Sequence, residues 1–258
     1  MYKDLREHIL KLFNSDVRLD GRKFTDYREP FTVETNAVKT AEGSARVRIG
    51  KTEVIAGVKV EVMKPYPDTP NEGSIIVGVE LLPLSNQNFE LGPPSIEAIE
   101  LARVVDRGIR ESKCLDFKKL CIQEGEKVWT LIIDICPIND AGNLFDASAL
   151  AAIAALKTMK FPKYGNDKID YKTKTDGMLE LKDIPISVTV TKIGDKLIVD
   201  ADSDEEKAID ARLTVASLSD GTLCALQKGG DYPLTYDDIA KMVDIGVEKA
   251  KDIRKLIT

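Results

Sequence analysis

The feature that most constrains the fold is a pair of strand-like segments separated by only two residues. Residues 44–49 and 52–62 are rich in valine, isoleucine and alanine, and Gly50 and Lys51 lie between them. A two-residue connection fits a tight hairpin turn, so the segments are expected to be antiparallel neighbours. The first third of the chain therefore predicts a β-sheet.

Further elements are predicted on both sides of this hairpin. Residues 31–38 and 73–82 are strand-like, whereas three prolines in residues 64–70 indicate a loop. Apolar residues at helical spacing predict a helix over the first dozen residues, and Ser95 is the expected N-cap of another. The mostly apolar residues 128–136 indicate a strand buried on both faces. An alanine-rich helix over 146–159 follows, and the polar residues 163–177 are predicted to form a linker or long loop.

The second half repeats this organisation on a smaller scale. Two hairpins are predicted, over residues 186–200 and 212–227, with turns at Gly194-Asp195 and Asp220-Gly221. Thr235 and Asp238 form a capping-box pattern before a final helix, in which Gly246 allows a close approach. The pattern predicts an α+β protein with domains at 1–175 and 176–258.

Composition restricts the class of function. The net charge is −6 and the pI about 5.1, which opposes a broad nucleic-acid face but allows a local basic patch. No apolar run approaches the roughly 20 residues of a membrane span, and no secretory signal is visible, so a cytoplasmic location is expected. Four scattered cysteines and a single histidine, His8, predict no metal site and no disulfide framework.

Several short motifs resemble one enzyme family when they are taken together. Arg18-Leu19-Asp20-Gly21-Arg22 alone indicates a turn whose arginines bind an anion or a carboxylate. In this order along the chain, it and the segments at residues 27–28, 43–45 and 52–60 resemble the ribonuclease PH family. The acidic run 200–206 resembles the second-domain motif of that family, although by itself it indicates a solvated loop.

This resemblance implies a fold, a partner and a process. The implied fold is a two-layer ribonuclease PH-type α+β fold, like domain 2 of ribosomal protein S5, with a larger N-terminal and a smaller C-terminal part. The chain most specifically resembles the non-catalytic ring subunit of the archaeal exosome. That resemblance implies a hexameric ring shared with a catalytic paralogue, RNA-binding cap proteins and 3′-to-5′ phosphorolysis of RNA. It implies no cofactor in this chain.

The residues of a phosphorolytic site are mostly replaced. Catalytic family members carry Gly-Thr-Arg-Thr where this chain has Gly142, Asn143, Leu144 and Phe145, so the cation for an incoming phosphate is missing. The arginine pair at the start of their middle helix is here Ile96 and Glu97. Of two acidic residues six apart, Asp183 matches the later one, and Gly177, next to Asp176, stands at the earlier place. We therefore expect no catalytic residue in this chain; Asp183 is interpreted as a residue that binds its own turn.

Four basic residues are the predicted RNA contacts. Arg103, Arg107 and Arg110 share a helix face by their spacing, and Lys64 lies in the proline-rich loop. A solvated face, with Glu100 paired to Arg103 and Asp106 to Arg110, explains the spacing equally well. The resemblance favours RNA, because this subunit is expected to contribute cations to the partner's site.

Two other functions are compatible with parts of the sequence. A self-sufficient phosphorolytic exoribonuclease would use Asp183 and the arginines in an unusual site. A stand-alone RNA-binding protein would need the fold without the ring. Leu144 and Phe145 oppose the first, and the acidic pI opposes the second.

Overall fold

The computed structural model describes residues 2–257, without the side chain of Asp176. The N-terminal half runs through α1 (Lys3–Asn14), β1 (Phe31–Thr35), β2 (Gly43–Ile49), β3 (Thr52–Met63), β4 (Ser74–Val79), α2 (Ile96–Glu111), a 3₁₀ helix (Phe117–Leu120), β5 (Cys121–Gln123), β6 (Lys127–Asn139) and α3 (Leu144–Lys157). The chain continues through β7 (Lys160–Gly165), β8 (Lys168–Met178), β9 (Ile186–Ile193), β10 (Lys196–Val199), α4 (Ser203–Glu206), β11 (Ala211–Ser217), β12 (Leu223–Gly229) and α5 (Tyr236–Arg254).

Two sheets and the helices between them form the core. The first sheet has the order β1-β2-β3-β6-β4, with β5 beside β6, and the second has the order β10-β9-β11-β12. The predicted β2–β3 hairpin is confirmed, since Ile49 lies opposite Thr52 across the Gly50 turn. The hairpin of β9 with β10 and that of β11 with β12 are likewise present. The α+β class is confirmed.

The middle helices connect the two sheets. Helix α3 contacts β2, β3 and β9, and α2 contacts β4 and β12, while α5 covers β9 and β11. Most residues of α3 are buried because both sheets pack on it. The close approach predicted at Gly246 is confirmed, because a Cβ there would lie 2.9 Å from the Val215 Cβ. One apolar core therefore extends across both sheets.

The predicted helix starts at Ser95 and Thr235 are both confirmed. The Ser95 hydroxyl accepts a hydrogen bond from the Ala98 amide, which fixes the start of α2 and so the position of the arginine face. Thr235 and Asp238 form the reciprocal capping box that starts α5.

The prediction of a loop over residues 163–177 was wrong. These residues belong to the β7–β8 hairpin, in which Gly165 lies opposite Lys168. Asn166 and Asp167 both have positive φ, 52° and 56°, as a tight two-residue turn requires. The ribbon is largely exposed, so its sequence lacks the apolar alternation by which strands are found. The predicted division at 175/176 falls inside β8 and stays a prediction.

The strand at residues 128–136 is confirmed, but its predicted burial on both faces was wrong. Leu131, Ile133 and Ile135 are buried, whereas Asp134 is exposed and Ile132 is half-buried. The helices cover only one face of the first sheet, because α2 and α3 lie on the same side as the second sheet. A continuous apolar run cannot distinguish this arrangement from full burial.

Candidate functional site

The turn that precedes α3 occupies the place where catalytic family members are expected to bind phosphate. Gly142 has φ +95°, and a Cβ there would lie 2.6 Å from the Ala201 carbonyl oxygen, so only glycine fits. Asn143 has φ +61° and its amide donates to the Glu206 carboxylate at 2.8 Å. The Thr52 hydroxyl donates to the Gly142 carbonyl at 2.7 Å. An anion of the chain itself is therefore bound at the start of α3.

One of the two apolar replacements in this turn, Phe145, lies against a cation that is already paired. The Arg212 guanidinium lies 4.6 Å from the centre of the Phe145 ring. The same guanidinium donates to Glu100 at 2.7 Å. Leu144 and Phe145 are half-buried and pack against the core. This side of the turn thus presents an aromatic ring and a neutralised arginine to an incoming anion.

Asp200 is the centre of a charge cluster beside the turn. Arg28 binds it through three hydrogen bonds, from Nε at 2.9 Å, from Nη2 at 2.8 Å and from the backbone amide at 2.7 Å, and Arg22 adds another at 2.8 Å. Burial acts to raise the pKa of Asp200, but the hydrogen bonds and charge of Arg28 outweigh it and lower that pKa. Arg28 also donates to the Gly142 carbonyl at 2.9 Å, so the cluster holds the turn in place.

A second, fully buried ion pair joins the N-terminal segment to α4. Arg18 donates from Nε to Glu205 at 2.9 Å and from Nη2 at 2.5 Å, and both side chains are at most 1% exposed. The Arg18–Arg22 motif therefore ties its turn to carboxylates, as its structural interpretation predicted. The predicted solvated loop at residues 200–206 was wrong for Asp200 and Glu205, since both side chains are buried. Their ion pairs with arginines offset the cost of burying the two carboxylates.

Asp146 is a buried carboxylate that the sequence did not single out as a site residue. It accepts hydrogen bonds from the Tyr27 hydroxyl at 2.7 Å, the Thr189 amide at 2.7 Å and the Asn143 side-chain amide at 3.1 Å. Burial raises the pKa of Asp146 to about 7, against the opposing effect of these three donors. The signal in the sequence was an acidic residue in the first turn of a helix otherwise composed of apolar and small residues. Asp146 joins α3, the N-terminal segment and β9.

Asp183 is held by its own surroundings, which agrees with its structural interpretation. Its carboxylate accepts from the Ile184 amide at 2.6 Å and from the Ser219 hydroxyl at 2.7 Å. These bonds fasten the start of β9 to the turn between β11 and β12. The earlier acidic place, Gly177, lies within β8; the Asp176 side chain lies outside what the structure describes.

The three arginines of α2 are all exposed, but their partners differ. Arg110 donates to Asp106 at 2.8 Å and to the Ile75 carbonyl at 3.2 Å, which confirms the expected pair. Arg107 makes one long contact, 3.4 Å, with Gln227. Arg103 has no hydrogen-bond or ion-pair partner within residues 2–257.

The expected pairing of Glu100 with Arg103 was wrong, since Glu100 binds Arg212 instead. Arg103 borders a cleft of about 450 Å³ between α2 and β4, and the cleft also contains Glu80 and Asp134. Neither carboxylate forms an ion pair with Arg103 within 4 Å, so its guanidinium is not held by these acidic neighbours.

Lys64 is exposed in the loop that follows β3. This loop leads into β4, in which the Ile75 carbonyl accepts a hydrogen bond from Arg110 of α2. Lys64 stays a predicted RNA contact.

Residues 2–257 contain no candidate metal site, disulfide or membrane-spanning helix. No cluster of three or more histidine, cysteine or acidic residues could hold a metal ion. The four cysteines are unpaired. No helix in the described part of the chain is long and apolar enough to cross a membrane.

Comparisons with known proteins agree over nearly the whole chain. Models of the 3′ exoribonuclease family match residues 28–162 as domain 1 and residues 183–249 as domain 2. Exosome complex component Rrp42 of Methanosarcina mazei is 46% identical over 251 residues, 97% of this chain and 92% of that protein. The component of the same name from Archaeoglobus fulgidus is 44% identical over 250 residues, 97% of this chain and 94% of the relative.

Solved structures give the same result. A chain of the Archaeoglobus fulgidus exosome with RNA bound to the active site has a TM-score of 0.92 and 42% identity, covering 99% of this chain and 98% of that one. A chain of an archaeal exosome core has a TM-score of 0.86 and 41% identity, covering 98% and 95%. With both domains matched in order, the chain belongs to the 3′ exoribonuclease family, the ribonuclease PH family of RNA-degrading proteins.

Proposed function

We propose that this chain is a ring subunit of an RNA-degrading exosome and does not itself carry out phosphorolysis. It structures the active site of a catalytic paralogue and contributes cations that hold RNA during 3′-to-5′ degradation. The relatives named as exosome components, and the solved exosome chains of the same fold, support the assembly. The domain division at 175/176, the RNA-binding cap proteins and the cytoplasmic location stay predictions.

The main support for a non-catalytic role is that groups of the chain itself occupy the turn before α3. Phosphorolysis requires a pocket that stabilises an inorganic phosphate dianion, normally with a cation and free amides. Here the Asn143 amide is bound to Glu206, and Phe145 lies beneath an arginine that Glu100 neutralises. A phosphate at this turn would meet a carboxylate and a ring instead of a free cation.

The RNA-binding part depends on the exposed cations of α2 and of the neighbouring loop. Arg103 and Arg107 have no charged partner among the described residues, so each can bind phosphate without first breaking an ion pair. Arg110 is held by Asp106 and would have to share its charge. Lys64, exposed in the loop after β3, is the fourth proposed contact.

Phosphate-dependent release of nucleoside diphosphates from a short RNA tests the proposal. The isolated chain should release none, whereas the complex with its catalytic paralogue should be active. Replacing the catalytic acidic residue of the paralogue should abolish release by the complex. Robust release by this chain alone would refute the proposal and favour a self-sufficient exoribonuclease.

A further inference from the structure

The β7–β8 hairpin has a basic surface that the proposed function does not use. Residues 160–174 contain five lysines and two aspartates, a net charge of +3 in a chain of net charge −6. Lys163, Lys168 and Lys172 are exposed. None of the three makes a hydrogen bond or an ion pair through its side chain with any residue from 2 to 257.

These lysines are grouped around Asp170 on the ribbon. Lys163 is opposite Asp170 and Lys168 is opposite Gly165 in the strand register. Lys168 shares a face with Asp170 because side chains alternate along the regular part of the strand, and Lys163 joins them from the other strand. Lys172 follows in the segment 171–173, where the register shifts and β8 residues have no partner on β7. The Asp170 carboxylate accepts a hydrogen bond from the Lys172 backbone amide at 3.0 Å and forms no ion pair within 4 Å in the described chain.

Other side chains of the hairpin fasten it to the first sheet. At the tip, Asp167 forms an ion pair with Lys127 at 2.6 Å. Further along, the Tyr171 hydroxyl donates to the Val60 carbonyl at 3.2 Å, and Lys174 donates to the Ala41 carbonyl at 2.6 Å. The backbone that carries the outer lysines is therefore anchored before any ligand arrives, which reduces the entropy lost on binding.

We propose that the outer face of this hairpin, formed by Lys163, Lys168 and Lys172, binds the phosphates of single-stranded RNA outside the arginine face of α2. This inference rests on the proposed function, since it assumes a chain that handles RNA. Lysine binds phosphate as a point charge, and phosphate contacts require no apolar surface. Protein interfaces, in contrast, have few lysines at their centre and are enriched in aromatic residues. Tyr171, the aromatic neighbour of Lys172, already binds the Val60 carbonyl and lies against Lys59, so RNA phosphates fit these lysines better than an acidic protein does.

The test measures RNA binding to the assembled complex carrying K163Q, K168Q and K172Q together. Two RNAs are compared at several salt concentrations, a long single strand and a short one that reaches only the arginine face. Affinity for the long RNA should fall several-fold at low salt. In a plot of the logarithm of affinity against the logarithm of salt concentration, the slope should become shallower by up to about 2, since each of three phosphate contacts contributes about 0.7. Binding of the short RNA should not change.

Two variants separate a local site from a general charge effect. Changing Lys11, Lys241 and Lys251 to glutamine removes the same charge from exposed lysines elsewhere, and should leave long-RNA binding near the wild-type value. Changing the three hairpin lysines to arginine should retain it. Equal losses in both glutamine variants, or no loss in the hairpin variant, would overturn the proposal.

Sedimentation of each variant complex gives the last outcome. Loss of the ring in the hairpin variant would assign this face to a protein interface and overturn the RNA assignment. Because the readout is binding, an inactive wild-type complex would count against the proposed function without deciding the hairpin proposal.

Discussion

The turn before α3 and the outer face of α2 use charge in opposite ways. Around the turn, Arg28 and Asp200 are bound to each other and are largely or fully buried. On α2, Arg103 and Arg107 face solvent and bind no carboxylate in residues 2–257. Both regions are rich in arginine, so composition alone does not separate them.

This difference shows which charges remain available for a ligand. A guanidinium that is bound by a buried carboxylate contributes to cohesion, because releasing it would leave a charge without a partner in a poorly solvated place. A guanidinium on a solvated helix face loses little when it moves to a phosphate. The region that would bind phosphate in a catalytic relative therefore holds the two sheets together here, and RNA contacts are expected on α2.

The largest expected effect comes from breaking the buried pair of Arg18 and Glu205. Arg18→Ala should lower the free energy of unfolding by about 3–5 kcal/mol, because it leaves the Glu205 carboxylate buried and unpaired. Chemical denaturation of the chain measures it. Arg48→Ala is the control, since its pair with Glu53 is half-exposed and should cost under about 1 kcal/mol. Equal losses in the two variants would contradict the distinction between buried charges that stabilise the fold and exposed charges that do not.

Helix starts and turns could be predicted from the sequence better than the partners of the charged residues. Helix starts at Ser95 and Thr235 and the turn at Gly50 depend on local chemistry, and each was predicted from a few residues. The pairing of Asp200 with Arg28 joins residues 172 positions apart, so no local pattern contains it. The same limit explains why Glu100 was paired with the wrong arginine.

Exposed strands were also hard to predict. The β7–β8 ribbon is held by bonds at single atoms, such as the Tyr171 hydroxyl, and by a turn with two positive φ angles. Apolar periodicity, the main signal for strands, appears only where one face is buried. The candidate RNA contacts could be named from spacing and resemblance, but which of them are free required coordinates.

The next effect concerns the pH dependence of stability at the turn. Burial raises the pKa of Asp146 from 3.8 to about 7. The folded chain therefore binds this proton more tightly than the unfolded chain. Its contribution is fully present below pH 3.8 and is lost as pH rises through about 7, by at most about 4 kcal/mol. Unfolding measured between pH 5 and 8 should show stability falling as pH rises.

Asp146→Asn isolates this effect, because it removes the titration at nearly the same side-chain shape. The variant should lose much of the slope between pH 5 and 8. Glu206 titrates in the same direction, because desolvation of its carboxyl group and the charge of Asp140 raise its pKa to about 7. Much of the side chain is exposed, so solvent screening reduces its share of the pH dependence. An unchanged slope in the variant would mean that the buried cluster does not titrate in this range.

A smaller effect on RNA binding is expected for the arginines of α2, and its size should differ among them. Arg103→Gln and Arg107→Gln should each weaken RNA binding by the assembled complex and lower its salt slope by about 0.7. Arg110→Gln should do less, because Asp106 already holds that guanidinium and must be displaced first. Affinity at several salt concentrations measures all three, and Asp106→Asn should raise the contribution of Arg110. If Arg110 proved the strongest contact, internal pairing would be a poor guide to RNA binding.

The smallest expected effect on activity comes from Asp183, the one acidic residue that matches the catalytic pattern. Its carboxylate is engaged by the Ile184 amide and the Ser219 hydroxyl, so its role is to fasten two turns of the second sheet. Asp183→Ala should cost about 1 kcal/mol of unfolding free energy, the usual value of such hydrogen bonds. Phosphate-dependent release by the assembled complex should remain near the wild-type rate. Asp183→Asn, which keeps an acceptor oxygen, should restore part of the stability and also leave the rate unchanged. A loss of several orders of magnitude in both variants, with the ring intact, would place catalytic chemistry in this chain and remove the contrast between its closed turn and its open helix face.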